Sequence, residues 1–420
     1  DIEALVFHSS LGDRVARICD RLPMLKAMIC VDDGPAEDGS MGPANGIPYD
    51  TFLSQASGAA KTQPQGDEIY MLYTGGTTGM PKGVMYPLDG FTEFFMRGFP
   101  PMIGLPPFED AAQFGPAARQ MVDANTTVVA MSGPPLMHGT GCWLGLMFPH
   151  MLGGTSVLLE NRGFKPEEVW TTVERDRVSQ IIIVGDAFAK PLLRALKTEP
   201  DRWDTSSLKL MISSGAMFTT EVKRGLIEHV PELAIADVLG STEGGMGQSI
   251  MTKDTPPSET AKFTLLPVAK VLLPDGSREV VPGSGEVGMV AQGGMVPLGY
   301  YKDPEKSAKT FRIFEGQRWS VPGDWATVEA DGAITLLGRG SQVINTGGEK
   351  VFPEEVEEAL KELADVTDCN VVGIDDDRWG QAVTAVVELV PGSSADEVAL
   401  RDALRDPLAG YKMPKRIVFV

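Results

Sequence analysis

The sequence predicts an α/β fold, with a large N-terminal domain followed by a small α/β domain, and three observations predict it. Short apolar runs alternate with segments of helical period from residue 4 to residue 213. A stretch over 257–335 holds only short runs broken by Gly and Pro, the texture of strands and turns. After Arg339 the alternation of helix and strand resumes.

The first element is a strand over 4–8, followed by a helix with Val15, Ile18 and Leu22 at helical spacing and a strand over 27–31, which together make a βαβ unit. Strands over 128–131 and 155–159, a helix over 166–175, a strand over 180–184, a helix over 187–196 and strands over 208–213 and 233–238 continue the pattern. Such alternation implies a largely parallel sheet covered by helices. Turns at Leu273-Pro-Asp-Gly276 and Glu329-Ala-Asp-Gly332 punctuate the β-rich part. Pro353 opens a helix whose first turn carries Glu354 and Glu355 and whose apolar stripe is Val356, Leu360 and Leu363. Strands over 370–374 and 382–390 and a helix around 397–404 complete the small domain. The division expected is 1–338 for the large domain and 339–420 for the small one, with 34–48 and 62–67 as linkers.

The 420 residues carry a formal net charge of −20, which disfavours nucleic acid and anionic membranes, since both reward a basic face. An anionic ligand must therefore meet local positive groups. Cys19, Cys30, Cys142 and Cys369 are scattered without CxxC spacing, so neither a disulfide framework nor a zinc knuckle is expected, and a reducing cytoplasm fits. No apolar run approaches the roughly 20 residues that span a bilayer.

The richest segment is Tyr73-Thr-Gly-Gly-Thr-Thr-Gly-Met-Pro-Lys-Gly83, directly after an apolar run over 69–72. Glycines let backbone N–H groups approach an anion, the threonines add hydroxyl donors, and Lys82 brings a positive charge. Its order does not match G-x-x-x-x-G-K-[ST], which argues against a Walker-type NTPase. Further along lie Ser213-Ser-Gly-Ala216, Leu239-Gly-Ser-Thr-Glu-Gly-Gly245, Val321-Pro-Gly-Asp-Trp325 and a run from Leu337 to Val356. Taken singly, each reads as an ordinary turn.

In this order the motifs resemble those of the adenylate-forming superfamily of acyl-CoA synthetases, luciferases and adenylation domains, closest in look to actinobacterial-type fatty acid and steroid side-chain ligases. The resemblance implies a nucleotide site built from Thr74, Gly75, Gly76, Thr77, Thr78 and Gly79, with Lys82 on the phosphates. Gly75 stands where the family usually has serine. Ser214, Gly215 and Ala216 line the adenine pocket; Leu239, Gly240 and Ser241 complete it, with Leu239 replacing the customary aromatic. Thr242 contacts the α-phosphate, Glu243 holds Mg²⁺, Asp324 accepts from the ribose hydroxyls and Arg339 contacts ribose or phosphate. Gly347, Gly348 and Glu349 form the loop that closes over the pantetheine tunnel, and Ser341 and Gln342 stand at the hinge of a mobile small domain. His138 is the gate beside the acyl pocket, which Gly185 and Asp186 border, although Asp186 is equally suited to cap a helix.

The resemblance further implies ATP-dependent conversion of a hydrophobic carboxylic acid to acyl-AMP with release of pyrophosphate, then transfer to coenzyme A. ATP, Mg²⁺ and coenzyme A are the expected cofactor and co-substrates, with the cytoplasm as the location. No nucleic acid and no membrane span are expected, and a homodimer is left open. The family's terminal lysine motif lies beyond Val420, so the chain is expected to be a piece shortened at both ends. Rival readings are an acyl-AMP ligase feeding a carrier protein, an amino-acid adenylation domain, a luciferase-like oxygenase and a nucleotide-binding pseudoenzyme.

Overall fold

The computed structural model describes residues 2–32, 46–56, 65–75, 81–161, 163–255, 261–340, 342–346, 349–376 and 378–420. The chain divides into two compact units, 1–65 and 66–420. In the first, strand Ala4–His8 pairs in parallel with Ala27–Val31, which pairs in parallel with Ile47–Pro48. Phe7, Val15 and Met28 form its small core. The helix expected between the first two strands is only Gly12–Ala16, flanked by 3₁₀ turns at Ser9–Leu11 and Cys19–Arg21. Pro23 accounts for the end of helical backbone at Leu22, because the residue before a proline is driven out of the α region, and Leu22 sits at φ −114 and ψ 72.

In the second unit a 13-stranded sheet dominates. One half is parallel: Ala234–Ser241, Leu210–Ser214, Gln180–Ile183, Val129–Ser132 and Thr155–Val157 lie side by side in that order. The run Gln180–Ile183 is buried along its whole length, as a strand covered on both faces requires. Ile181 and Ile183 pack with Trp170, Leu192 and Leu226 from helices Pro166–Asp176, Gly185–Thr198 and Thr220–His229. Ile182 faces the other way, into an aromatic-rich core of Tyr86, Phe91, Phe95, Trp143 and Phe148. The alternation is the period of two that a strand imposes.

The same sheet continues into an antiparallel half through Gly244–Met251, Lys262–Leu265, Ile334–Arg339, Asp324–Val328 and Val287–Gln292. This is the β-rich part expected over 257–335. A separate antiparallel sheet joins Ile69–Thr74, Lys82–Pro87 and Gly299–Tyr300. Beyond it, Pro353–Lys361 and Glu397–Ala403 pack on a five-stranded sheet that includes Val366–Asp376 and Gly380–Leu389, closing a core of Val356, Leu360, Val383, Val387 and Leu404. Lys190 Nζ, on helix Gly185–Thr198, donates to Thr367 O of this unit at 3.0 Å. No helix among the described residues is long and apolar enough to cross a membrane.

Candidate active site

Strands Ile69–Thr74 and Lys82–Pro87 pair in antiparallel register, with Thr74 opposite Lys82, so the glycine-rich loop connects the two arms of a hairpin. Gly76, Thr77, Thr78 and Gly79 lie outside the described residues; Thr74, Gly75 and Lys82 lie within them. Lys82 begins the returning strand and so projects from a paired backbone. Its ammonium lies over the ring of Tyr300, 5.3 Å from the centroid.

Tyr300 ties the hairpin to the acidic motif. It is 4% exposed and pairs with Val84, and its hydroxyl donates to Glu243 Oε1 at 2.6 Å, with Thr310 Oγ1 at 3.5 Å. Burial, then the Glu243 carboxylate, pushes its phenol well above the ordinary value, so it stays a protonated donor. Thr242 and Glu243 form the turn between strands Ala234–Ser241 and Gly244–Met251, where Ser241 opposes Gly244. Tyr86, on the Lys82 strand, donates its hydroxyl to Thr242 O. Gly244 sits at φ +152, and an added Cβ would lie 2.3 Å from Gln292 Oε1, so the turn rests directly on the Gln292 amide.

Asp324 and Arg339 oppose each other on neighbouring strands, Nε to Oδ1 at 3.1 Å. Asp324 is 6% exposed, and its buried Oδ2 has no hydrogen-bond partner among the described residues. Burial raises its carboxyl pKa against the opposing pull of Arg339, and Glu243 adds to the rise. Burial lowers the Arg339 guanidinium, but Asp324, Glu243 and Tyr300 together carry it above its ordinary value. The Glu243 charge therefore acts on Tyr300, Asp324 and Arg339 alike. The backbone N–H of Arg339 reaches Glu354 Oε1 at 3.5 Å, and Glu354 Oε2 lies 2.1 Å from where a Cβ on Gly338 would stand.

The Ser214–Ala216 segment leaves the end of the parallel strand Leu210–Ser214, with Gly215 at φ +92. Gly185 lies against it: its N–H donates to Ser213 Oγ at 3.0 Å, while Asp186 N–H donates to Met217 O at 2.8 Å. Asp186 Oδ1 accepts from the backbone and hydroxyl of Thr219, at 3.0 and 3.2 Å, and so ties helix Gly185–Thr198 to the residue that opens helix Thr220–His229. Asp186 does not cap the helix that follows it in sequence, as expected of a capping residue: it lies inside helix Gly185–Thr198, whose N-cap is Val184. Gly185 has φ +52, and a Cβ there would stand 2.2 Å from Met217 O. Gly185→Ala is therefore expected to cost roughly 2–4 kcal/mol, from left-handed strain and overpacking together. Urea unfolding measures it; a loss below about 1 kcal/mol would show that the loop yields freely.

Other expected residues lie apart from the cluster. Leu239 is 8% exposed and packs with Met246, Phe263 and Val290 in the core, so its side chain serves the sheet. Gly240 and Ser241 run on to the turn, and the Ser241 hydroxyl accepts from Glu243 N–H at 3.2 Å. His138 is exposed and precedes a π-helical segment, Thr140–Met147, whose Trp143 donates to Tyr70 OH at 3.0 Å. Glu349 is exposed on strand Glu349–Val351; Ser341, Gly347 and Gly348 lie outside the described residues. Tyr300, Tyr86, Gln292 and Glu354 were not singled out from the sequence as site residues.

Residues 2–301 match the family described as AMP-binding enzyme, and 355–420 match the AMP-binding enzyme C-terminal domain. The chain is 40% identical to a medium/long-chain-fatty-acid–CoA/3-oxocholest-4-en-26-oate–CoA ligase of Mycolicibacterium smegmatis, over 100% of this chain and 75% of that protein. It is 39% identical, with the same coverage, to a 3-oxocholest-4-en-26-oate–CoA ligase of Rhodococcus rhodochrous. Among solved structures, ATP-bound MatB from Rhodopseudomonas palustris aligns with a TM-score of 0.74 at 24% identity, over 100% of this chain and 75% of that one. The anthranilate CoA ligase AuaEII in complex with anthranoyl-AMP aligns with a TM-score of 0.76 at 22% identity, over 100% and 74%. At those identities the likeness is one of fold. With motifs, fold and relatives in agreement, the chain belongs to the AMP-binding enzyme family.

Proposed function

We propose that this enzyme uses ATP to convert a hydrophobic carboxylic acid to its acyl-AMP, releasing pyrophosphate, and passes the acyl group to coenzyme A in the cytoplasm. The observation that carries the reading is the meeting of Lys82 and Glu243 on Tyr300, within electrostatic reach of the Asp324–Arg339 pair: a cation for phosphate, a carboxylate for a metal and a buried acceptor for ribose. Among the described residues the cluster holds no thiol or serine poised as nucleophile, and the reaction needs none. The substrate carboxylate attacks the α-phosphorus and pyrophosphate leaves; the thiol then attacks the acyl carbon and AMP leaves. The protein's part is to hold reactants in line and to stabilise charge on the phosphate.

Magnesium fits the residues present. Glu243 offers oxygen, and no hydrogen bond reaches its Oε2 among the described residues, where no group of three His, Cys, Asp or Glu is arranged to cage a metal. A cation bound largely through nucleotide phosphates, with one protein carboxylate, is the way Mg²⁺ is usually held. When bound, it supplies positive charge against the phosphates. Lys82 and Thr242 act on the same phosphates, Asp324 and Arg339 on the ribose side, and Ser214–Ala216 with Gly240 and Ser241 on adenine.

The hydrophobic substrate class is supported by the relatives from Mycolicibacterium smegmatis and Rhodococcus rhodochrous, both CoA ligases of apolar acids. The small domain, taken as 339–420, turns between the two half-reactions, with 341 and 342 at the pivot. Release of pyrophosphate from ATP and Mg²⁺ by the full-length protein tests this, against fatty, steroid, aromatic and amino acids with and without coenzyme A. Thioester formed from a fatty or steroid acid and free coenzyme A is the expected result. Acyl-AMP that moves only to a carrier protein would replace the acceptor, and ATP binding with no release for any acid would leave a pseudoenzyme.

A further inference from the structure

We propose that Tyr300 is a positioning residue that sets how Glu243 meets its metal and where Lys82 stands, so that one buried side chain couples the two charges acting on the nucleotide phosphates. The proposal rests on the adenylating function, with Glu243 as the metal carboxylate. Tyr300 occupies the two-residue strand Gly299–Tyr300, fixed by pairing with Met85 and Val84 of the strand that Lys82 begins. Its ring lies under the Lys82 ammonium at 5.3 Å, a cation–π contact that draws the cation toward one face. Its hydroxyl donates to Glu243 Oε1 at 2.6 Å, a short charge-assisted hydrogen bond.

The consequence comes from carboxylate chemistry. A carboxylate has two oxygens and accepts only. With Oε1 engaged by the phenol, Oε2 is left for the cation, and binding through one oxygen suits the octahedral preference of Mg²⁺ better than a bidentate grip. Without the phenol, Glu243 is free to rotate or to present both oxygens. Lys82 would keep its contact with the ring.

Tyr300→Phe removes the hydroxyl alone and keeps the ring, so the fold is expected to survive. The variant is expected to need about 10-fold more Mg²⁺ for half-maximal pyrophosphate release, the lower end of the 10- to 100-fold typical of lost support behind a metal ligand. Conversion of preformed acyl-AMP and coenzyme A to thioester, which uses no pyrophosphate, is expected to stay at the wild-type rate. Electron paramagnetic resonance titration with Mn²⁺ in the presence of ATP gives a readout independent of turnover, and should show weaker metal binding by the same factor with ATP affinity in the absence of metal unchanged. Tyr300→Leu, which also removes the ring under Lys82, is expected to lose turnover even at saturating Mg²⁺. Unaltered Mn²⁺ affinity in Tyr300→Phe would overturn the proposal, as would equal loss in both half-reactions. A wild-type protein that binds Mn²⁺ and ATP yet releases no pyrophosphate would instead remove the function on which it rests, and the Mn²⁺ titration would still decide the role of Tyr300.

Discussion

Glu243→Gln is expected to slow pyrophosphate release by about 10²- to 10³-fold, the usual loss when one pre-placed group that stabilises transition-state charge is removed. The substitution keeps size and an acceptor oxygen, so the Tyr300 hydroxyl, 2.6 Å from Oε1 in the wild type, keeps a partner. What is lost is the negative charge. A neutral amide is a poor ligand for a hard dication, and Arg339, whose guanidinium feels Glu243 as well as Asp324, loses part of its counter-charge. The thermal midpoint should barely move, because Glu243 makes no ion pair among the described residues whose loss would strand a charge. Steady-state pyrophosphate assays across Mg²⁺ concentration check it. Activity within about 5-fold of wild type would remove Glu243 from the metal site, since that is under about 1 kcal/mol of transition-state stabilisation.

Local signals in the sequence carried the parallel half of the sheet. Gln180–Ile183 reads as a buried strand because a continuous apolar run bounded by turns has few other uses, and helix Pro166–Asp176 announces itself by Pro at its start and Glu167 and Glu168 in its first turn. The helix expected through Val15, Ile18 and Leu22 ends at Ala16, and at Leu22 the local reason is plain, since the proline after it outweighs the spacing. Site residues divide along the same line. Lys82, Glu243 and Asp324 drew notice because each stands in a compact motif whose order along the chain is itself information. Tyr300 did not, because its meaning comes from the pairing of Gly299–Tyr300 with Lys82–Pro87, a register between distant segments that neither segment encodes alone. Leu239 shows the converse: its place in a nucleotide motif suggested a ligand contact, and the pleat turns the side chain into the core.

The buried pair Asp324–Arg339 supports the second large effect. With Asp324 as the proposed ribose acceptor, Asp324→Asn is expected to raise the apparent KM for ATP by about 10- to 100-fold, because a hydrogen bond to a charged acceptor is worth ~1.5–3 kcal/mol and the ribose would lose at least one. The wild-type carboxylate has Oδ1 on Arg339 and a buried Oδ2 with no donor among the described residues, an arrangement that costs free energy until a hydroxyl arrives. The raised carboxyl pKa is the same cost seen through protons. Because the folded value lies above the unfolded one, the ionised form destabilises the free enzyme, and that cost grows as pH climbs from the ordinary aspartate range to the raised value. Ribose hydroxyls favour the ionised form, so ATP binding should release a proton in that window. On acidification the carboxyl becomes a donor and loses an acceptor site, so the KM of the wild type should begin to rise at a pH above the ordinary aspartate range, while that of Asp324→Asn stays flat. Parallel pH profiles of KM for the two proteins test this; a wild-type KM that is level through the window, or an Asn variant that tracks it, would place the ribose elsewhere.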